Sequence, residues 1–258
     1  MRNTLLEKLQ RKEKPVGTFF FMGNAAVAEC LALSGVDYII VDMEHGPFGI
    51  ESAADIMRGA ELRGATVLAR IPDGSRTSVL KALDIGAQGL VVPNIRSVQE
   101  VRNLVEYGKY FPQGLRGLAM SRAAGYGFAD HAAGDIGEYM NACNRETLLL
   151  PQCETAECLE HIEEIAALDG IAGIFVGPFD LSIALGKPVQ FGNPEFKAAI
   201  ARVLAACAAA GKFCFIFGAS VDAAKAAFEQ GFDSVVLGTD SSFYVQAFQR
   251  IVGQVKGE

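Results

Sequence analysis

Residues 213–238, FCFIFGASVDAAKAAFEQGFDSVVLG, contain one complete strand–helix–strand unit. The run FCFIFG from Phe213 is apolar at nearly every position, which is typical of a parallel strand covered on both faces. Residues 221–230 carry apolar side chains at helical spacing, and Gly231 supplies the left-handed residue that commonly ends a helix. SVVLG from Ser234 is a second apolar run. The stretch therefore predicts two parallel strands joined by a helix.

The same alternation occupies most of the chain. Six earlier apolar runs are VGTFFF from Val16, DYIIVD from Asp37, TVLAR from Thr66, GLVVP from Gly89, LLLPQC from Leu148 and GIFVG from Gly173. Further helical patterns cover residues 25–33, 97–107, 158–168, 196–210 and 243–255. Eight strand–helix units predict an α/β chain folded as a single (β/α)8 TIM barrel. A doubly wound sheet is the alternative, but GTFFFMGNAA after the first strand lacks the GxGxxG phosphate turn.

One interval between strands is longer than the others. The fourth and fifth runs start 59 residues apart, at Gly89 and Leu148. The extra residues, 111–135, are rich in glycine and small side chains and show little periodicity. They predict a long loop after the fourth strand, of the kind that is usually functional or interfacial.

Composition excludes several classes of protein. Half of the residues are apolar and 21% are charged, as in a folded globular chain, and the formal charge of −7 argues against a nucleic-acid-backbone binder. There is no run of 18 apolar residues that would predict a membrane span, and MRNTLLEKLQRKEKP at the start lacks the apolar core of a secretory signal. The six cysteines lack CxxC spacing and are interpreted as buried reduced thiols. We expect a cytoplasmic protein.

Polar side chains follow several of the predicted strands. In a TIM barrel the chemistry lies at the carboxyl ends of the strands. The residues at or just after those ends include Asp42, His45, Arg70, Gln152, Glu154 and the segment Gly177–Asp180. A candidate base, a guanidinium and several carboxylates are therefore expected to meet at one rim.

Two of these carboxylates suggest a metal site. Glu154 and Asp180 leave neighbouring strands, and oxygen ligands without cysteine or a nearby histidine suit a hard divalent cation. Alternatively, each carboxylate only caps the helix that follows it. The spacing does not decide between the two. Gly177 begins GPFD, whose backbone N–H groups at a helix start are suited to a carboxylate or phosphate group.

The remaining candidates bear on the reaction type. Arg70 at a strand end either pairs with a carboxylate or holds an anionic substrate. His45 is either a hydrogen-bonded loop histidine or a general base near neutral pH. None of the predicted strands contains a lysine, so a Schiff-base mechanism is excluded and carbonyl activation would have to come from a metal and Arg70.

Six motifs together resemble the HpcH/HpaI aldolase family, the metal-dependent pyruvate aldolases built on a TIM barrel. They are DYIIVDMEHGPF, VLARIP, LKALDIGAQGLVVPNI, FPQGLRG, PQCET and GIFVGPFDLSIALG. The resemblance runs in order from about Val16 to Asp240, which is nearly the whole chain. The resemblance implies that residues 1–258 form a single aldolase domain that cleaves a 4-hydroxy-2-oxo acid reversibly to pyruvate and an aldehyde.

The resemblance also implies roles for individual residues. Glu154 and Asp180 would hold a divalent metal (Mg, Mn or Co), and Gln152 with the backbone of Phe179 and Asp180 would help to bind pyruvate. Arg70 would stabilise the enolate. His45 would act as the base, and the aspartate matching Asp84 would raise its basicity. Asp84 precedes the fourth strand and is expected near the opposite rim, so Asp42 is kept as a second candidate for orienting His45 or holding water.

The chain departs from the family pattern at aromatic positions. The family commonly has a small residue where this chain has Phe179, and often a tryptophan near Phe19. Two other functions remain open: a citrate-lyase-like or malyl-CoA-type lyase, whose CoA phosphates would need Arg116 and Arg122, and a non-catalytic binding barrel. No nucleic-acid or membrane partner is expected. The family also implies a homo-oligomer, a hexamer or trimer, in which the C-terminal helix packs on a neighbour.

Overall fold

The structure, a computed structural model, describes residues 2–257. Within that range, eight parallel strands form a closed barrel in chain order. The strands are β1 Val16–Phe20, β2 Tyr38–Asp42, β3 Thr66–Arg70, β4 Gly89–Val92, β5 Leu148–Cys153, β6 Gly173–Val176, β7 Phe213–Gly218 and β8 Ser234–Thr239. The predicted TIM barrel is confirmed, and each predicted run matches one strand to within one residue at either end.

The helices lie between the strands and cover the barrel. They are α1 Thr4–Gln10, α2 Ala25–Leu33, α3 Ile50–Glu61, α4 Arg76–Asp84, α5 Val98–Gly108, α6 Ile136–Glu146, α7 Ala156–Glu160, α8 Ile162–Ala166, α9 Pro178–Ala184, α10 Pro194–Ala210, α11 Val221–Gln230 and α12 Asp240–Lys256. None of them, within residues 2–257, is long and apolar enough to cross a membrane.

Two local predictions were wrong. The single helix expected over 158–168 is two short helices, because His161 has φ −103° and ψ 18° and interrupts the helical hydrogen bonding. The interruption leaves both pieces buried, through Cys158 and Leu159 in α7 and through Ile162, Ile165 and Ala166 in α8. Of the six cysteines, five are buried as expected, but Cys30 on α2 is exposed.

The extra residues between β4 and β5 follow α5 rather than β4. Arg122 in this segment donates to the backbone oxygen of Ile85 at 2.5 Å, and Arg116 donates to Asp84 Oδ1 at 2.8 Å. Both acceptors lie at the end of α4, which leads into the amino end of β4. The segment therefore packs against the amino ends of the strands, on the side of the barrel opposite to its carboxyl ends.

The interior of the barrel is filled by alternate residues of the strands. In β2, Tyr38 and Ile40 belong to the interior cluster, whereas Ile39 and Val41 pack outward against the helices. Leu5 and Leu9 of α1 join the interior cluster at the amino end of the barrel. At the other end the interior closes with a layer that contains Phe19 and Phe175, whose ring centroids are 6.0 Å apart. The next inward positions lie above this aromatic layer.

Candidate active site

The alternation along the strands decides which polar side chains meet. Ile40 and Leu68 point inward, and two residues later on the same strands Asp42 and Arg70 also point inward, above the aromatic layer. Leu150 places Gln152 inward by the same reasoning. Because side chains alternate along a strand, Asp42, Arg70 and Gln152 therefore meet in one cluster at the carboxyl rim of the barrel.

Asp42 and Arg70 form a buried ion pair. Their Cα atoms are partners in the β2–β3 register, and the guanidinium donates to both carboxylate oxygens of Asp42, with Nε to Oδ1 at 2.9 Å. Asp42 is fully buried, and the Arg70 side chain is 10% exposed. The guanidinium carbon also lies 4.4 Å from the centroid of the Phe19 ring. Arg70 is therefore held in one orientation by charge, hydrogen bonds and stacking.

Asp42 also organises the loop that carries His45. Its Oδ1 accepts the backbone N–H groups of Glu44, at 3.1 Å, and of His45, at 3.3 Å. A Cβ at Gly46 would lie 2.1 Å from the backbone oxygen of Asp42, so the tight turn requires glycine there. The sequence left open whether Asp42 orients His45 or holds water. Asp42 positions His45 through the main chain rather than through the imidazole ring.

Glu44 links Arg70 to His45, a connection that the sequence reasoning did not assign. Glu44 Oε2 lies 3.3 Å from Arg70 Nε and 3.8 Å from His45 Nε2. Burial raises the pKa of Glu44, while the charges of Arg70 and His45 oppose that rise. The sequence contained one indication of this contact, the D-x-E-H spacing at the end of β2. With this spacing both acidic side chains, Asp42 and Glu44, lie beside Arg70 on β3. The His45 side chain is 64% exposed and faces the cleft.

Glu154 is buried and held by two donors. Its Oε1 accepts the backbone N–H of Asn94 at 2.7 Å, and its Oε2 accepts a hydrogen bond from the Gln152 amide. Burial raises the pKa of Glu154, and the negative charge of Asp180 raises it further. A cation beside Glu154 would stabilise the ionised form of this buried carboxylate.

Neither carboxylate caps a helix, although the sequence allowed that alternative. The N-cap of α7 is Thr155, whose Oγ1 accepts the N–H of Cys158 at 3.0 Å. The N-cap of α9 is Gly177, and α9 has no side-chain cap among the described residues. Asp180 lies within the first turn of α9. With capping excluded as their function, both side chains are available as ligands.

Gly177 allows β6 and α9 to approach the Glu154 side chain. A Cβ at residue 177 would lie 2.7 Å from Glu154 Oε2 and 2.9 Å from Gln152 Nε2. The φ of Gly177 is −93°, which other residues also adopt, so the requirement for glycine comes from this contact alone. The space beside Glu154 would be lost with any side chain at this position.

The fit of a metal can be tested on the groups that are present. Within residues 2–257 no three His, Cys, Asp or Glu side chains lie close enough to form a metal site by themselves. Glu154 and Asp180 supply two carboxylates, and Gln152 Oε1 is a buried oxygen without a hydrogen-bond partner in the described part of the chain. These donors fit an oxygen-bound divalent cation that takes further ligands from water and substrate. They do not form a complete cage.

Two cavities adjoin these groups. A cleft of about 500 Å³ is lined by polar residues that include Glu44, His45, Asn94, Glu154 and Asp180. A smaller cavity of about 190 Å³ shares His45 and Asp180 with it and also contains Arg70, Gln152, Gly177 and Phe179. The predicted site residues other than Asp42, Asp84 and Glu154 line this smaller cavity, and Asp42 lies beneath it.

The family comparison is consistent with this geometry. The sequence profile described as HpcH/HpaI aldolase/citrate lyase matches residues 16–247. The chain belongs to the HpcH/HpaI aldolase/citrate lyase family. The resemblance inferred from the six motifs is thereby confirmed, and the match spans all eight strands up to the first half of α12.

Named members of the family cover almost the whole chain. The 2-keto-3-deoxy-L-rhamnonate aldolase of Escherichia coli K12 is 31% identical over 99% of this chain and 94% of its own length. The hydroxypyruvate/pyruvate aldolase of Pseudomonas aeruginosa is 31% identical over 99% and 93%. The crystal structure of the HpcH/HpaI aldolase from Desulfitobacterium hafniense superposes with a TM-score of 0.91 at 28% identity, over 99% of this chain and 97% of that one.

Asp84, which the HpcH/HpaI resemblance assigned to the site, lies away from the other site residues in the fold. Asp84 is the last residue of α4, which leads into the amino end of β4, and its Oδ1 accepts from Arg116 at 2.8 Å. His45 follows the carboxyl end of β2. Because the strands are parallel, these two residues lie at opposite ends of the barrel. Asp84 therefore does not orient His45 within one chain, as the order of the elements predicted.

Proposed function

We propose that this chain catalyses the reversible aldol cleavage of a 4-hydroxy-2-oxo acid to pyruvate and an aldehyde. One observation carries the proposal: Asp180 lines both the cleft that contains the buried carboxylate Glu154 and the adjoining cavity that contains the fixed guanidinium of Arg70. A divalent cation held by the two carboxylates would, together with Arg70, place positive charge around a bound 2-oxo acid. The aldolase names of relatives that are 31% identical support the same reaction.

Glu154 and Asp180 hold a divalent cation (Mg, Mn or Co) in this proposal, with Gln152 Oε1 as a further oxygen beside it. Bound there, the cation acts as a Lewis acid that polarises the keto oxygen of pyruvate. The backbone of Gly177, Phe179 and Asp180 binds the carboxylate of the substrate. The lack of lysine in any of the eight strands between residues 2 and 257 supports this chemistry over a Schiff base.

Arg70 stabilises the negative charge that develops on the pyruvate oxygen. Its orientation is fixed before substrate binds, because Asp42 and Glu44 hold the guanidinium and Phe19 packs beneath it. Preorganised charge of this kind stabilises a transition state without reorganisation during the reaction.

His45 is the proposed base. In condensation the methyl carbon of pyruvate loses a proton to His45, directly or through water. The electron pair of that carbon forms the bond to the aldehyde carbon, and the aldehyde oxygen takes up a proton. Asp42 positions His45 through the backbone N–H. A contribution from Asp84 would have to come from a second copy of the chain, since Asp84 lies at the other end of its own barrel.

The chain is proposed to act as one aldolase domain in a cytoplasmic homo-oligomer, a hexamer or trimer. Six apolar side chains of α12 are at least 44% exposed: Tyr244, Val245, Phe248, Ile251, Val252 and Val255. An exposed apolar face of this size is typical of an interface. Sedimentation analysis of the protein and of Phe248→Asp tests the assembly, and a concentration-independent monomer would contradict it.

The lyase that acts on CoA thioesters has less support. The arginines that would have to bind CoA phosphates are engaged elsewhere: Arg116 pairs with Asp84, and Arg122 pairs with Glu61 and with the backbone oxygen of Ile85. Both pairs lie toward the amino ends of the strands. A role as a non-catalytic barrel is disfavoured by the buried, oriented Arg70.

The direct test is exchange of the pyruvate methyl protons, followed by NMR in deuterated buffer with no aldehyde present. We expect exchange that requires added Mg²⁺, Mn²⁺ or Co²⁺ and stops with EDTA. Protein that leaves the methyl protons in place with all three metals would contradict the proposed function.

A further inference from the structure

Five phenylalanine rings form a continuous chain past the proposed pyruvate site. Phe21 contacts Phe19 at 6.1 Å between ring centroids, Phe19 contacts Phe217 at 6.0 Å, Phe217 contacts Phe179 at 5.8 Å, and Phe179 contacts Phe191 at 5.2 Å. Most of these pairs are edge-to-face or tilted, the favourable geometry for aromatic rings. The rings come from the ends of β1 and β7, from α9 and from the segment before α10, so only the closed barrel brings them together.

Four of the rings, those of Phe19, Phe21, Phe179 and Phe217, line the 190 Å³ cavity that also contains Arg70, Gln152 and Asp180. Two of the polar groups near the rings, Thr239 and Arg70, are already engaged. Thr239 Oγ1 accepts the backbone N–H of Ser242 at 3.1 Å and lies 3.0 Å from Ser241 Oγ, and Arg70 is held by Asp42. Polar groups and rings therefore share this cavity, and two of the rings, Phe179 and Phe217, also line the neighbouring cavity, which does not contain Arg70.

The apolar surface continues beyond the cavity. Phe179 and Phe217 also border a larger cavity of about 590 Å³ between α10 and α11, whose described lining is apolar apart from Lys197 and Gln230. Phe179 and Phe191 are 37% and 36% exposed. Large aromatic side chains left uncovered at the mouth of a site favour an apolar ligand there.

We propose that the acceptor aldehyde carries a small apolar substituent, an aryl or short alkyl group, rather than a chain of hydroxyl groups. This inference rests on the proposed aldolase function and specifies its second substrate. An apolar substituent is removed from water against the rings. A hydroxyl at the same place loses its water without gaining a partner, which costs about tenfold in rate per buried group.

The test uses the metal-loaded enzyme with saturating pyruvate and two pairs of acceptors. Butanal and benzaldehyde represent apolar substituents, and glyceraldehyde and erythrose represent hydroxylated ones. We expect kcat/KM to be at least tenfold higher for the apolar pair. Equal values, or a preference for the hydroxylated pair, would overturn this inference. Exchange of the pyruvate methyl protons without aldehyde is measured in parallel. If exchange is absent, the aldolase function itself is wrong. If exchange occurs but the apolar aldehydes are not preferred, only the proposed acceptor class is wrong.

Variants in the wall connect the preference to the rings. In Phe179→Ser and in Phe217→Ser, the ratio of kcat/KM for butanal over glyceraldehyde should fall at least fivefold. Because the readout is a ratio within one variant, it does not depend on the overall rate. Phe128→Ser, a side chain 89% exposed in the loop after α5, is the matched control and should keep the wild-type ratio. If both wall variants fold, as shown by circular dichroism, and keep the wild-type ratio, the rings do not select the acceptor.

Discussion

Asp42 holds Arg70 through both carboxylate oxygens, and the same carboxylate accepts the backbone N–H groups of Glu44 and His45. One fully buried side chain thus fixes both the guanidinium and the loop that presents the imidazole. Asp42 therefore positions both proposed catalytic groups, Arg70 on β3 and His45 in the loop after β2. A change at Asp42 should disturb both, whereas a change at Arg70 should leave the loop hydrogen bonds in place.

Replacing Arg70 tests its proposed action on the enolate. Arg70→Ala should lower kcat for aldol cleavage about 100- to 1,000-fold, with a change of only a few-fold in KM for the 2-oxo acid, because the charge it stabilises develops in the transition state. Steady-state kinetics measure both constants. A variant that changes KM alone would show that Arg70 only binds substrate.

Arg70→Ala should also destabilise the fold. It leaves the Asp42 charge buried without its partner, and such a loss typically costs about 3–5 kcal/mol. Arg102→Ala is the matched control, because Arg102 forms an exposed pair with Glu164 and its removal should change the free energy of unfolding by less than about 1 kcal/mol. Urea unfolding of the two variants gives the comparison.

Removing a proposed metal ligand should abolish activity. Glu154→Ala takes away the buried carboxylate, so Mn²⁺ binding measured by calorimetry and metal-stimulated proton exchange should both be lost. Glu157→Ala is the control. This residue has the same charge three positions later and lines the same cleft, but its side chain is 47% exposed and pairs with Arg96. Full activity of the wild-type protein after treatment with EDTA would contradict the metal site.

The need for glycine at residue 177 can be tested with a single methyl group. Gly177→Ala places a Cβ 2.7 Å from Glu154 Oε2, so we expect metal and pyruvate affinity to fall at least tenfold while the fold is retained. Gly192→Ala is the matched control, since a Cβ there has open space around it and the φ of Gly192 is not positive. Similar affinities in both variants would mean that the region around Glu154 is looser than the structure indicates.

A pH dependence of stability is expected from Lys109. This side chain is buried, and burial lowers its pKa to about 8, although Nζ donates to the backbone oxygens of Asn144 and Thr147 at 2.7 Å. In the unfolded chain the pKa is about 10.4. Between these values the unfolded state binds more protons than the folded state, so stability rises with pH, by about 3 kcal/mol in total.

Other groups titrate in the same range, so the measurement is a difference. The free energy of unfolding of the wild type minus that of Lys109→Met should increase from about pH 8 to about pH 10.5 and stay constant below about pH 7. Lys109 is not among the causes of the raised pKa values of Tyr110 and Tyr139, but its charge lowers the pKa of Cys143, so both proteins also carry Cys143→Ser. A flat difference over this range would show that Lys109 stays charged in the folded protein.

The residues of the candidate site were predicted unevenly from the sequence. Reading the residues that leave each strand found Arg70, His45, Gln152, Glu154 and Asp180, because barrel topology sends the carboxyl end of every strand to one rim. Glu44 was overlooked as a link between Arg70 and His45, because that contact depends on how the loop after β2 folds back over β3. Asp84 was assigned by resemblance, and its place in α4 separates it from His45 within one chain.

The sequence by itself determined the barrel and the rim at which the chemistry-bearing side chains collect. Apolar runs of strand length indicate which segments are buried on both faces, and they alternate with helical patterns that end at glycine. Each of these patterns can be recognised from residues that are close together in the chain. Only the tertiary structure decided that Asp42 forms an ion pair with Arg70 and that neither Glu154 nor Asp180 caps a helix. It also decided that five phenylalanine rings contact one another in sequence. These facts depend on the register around a closed sheet and on the depth of burial, which bring together residues that are distant along the chain.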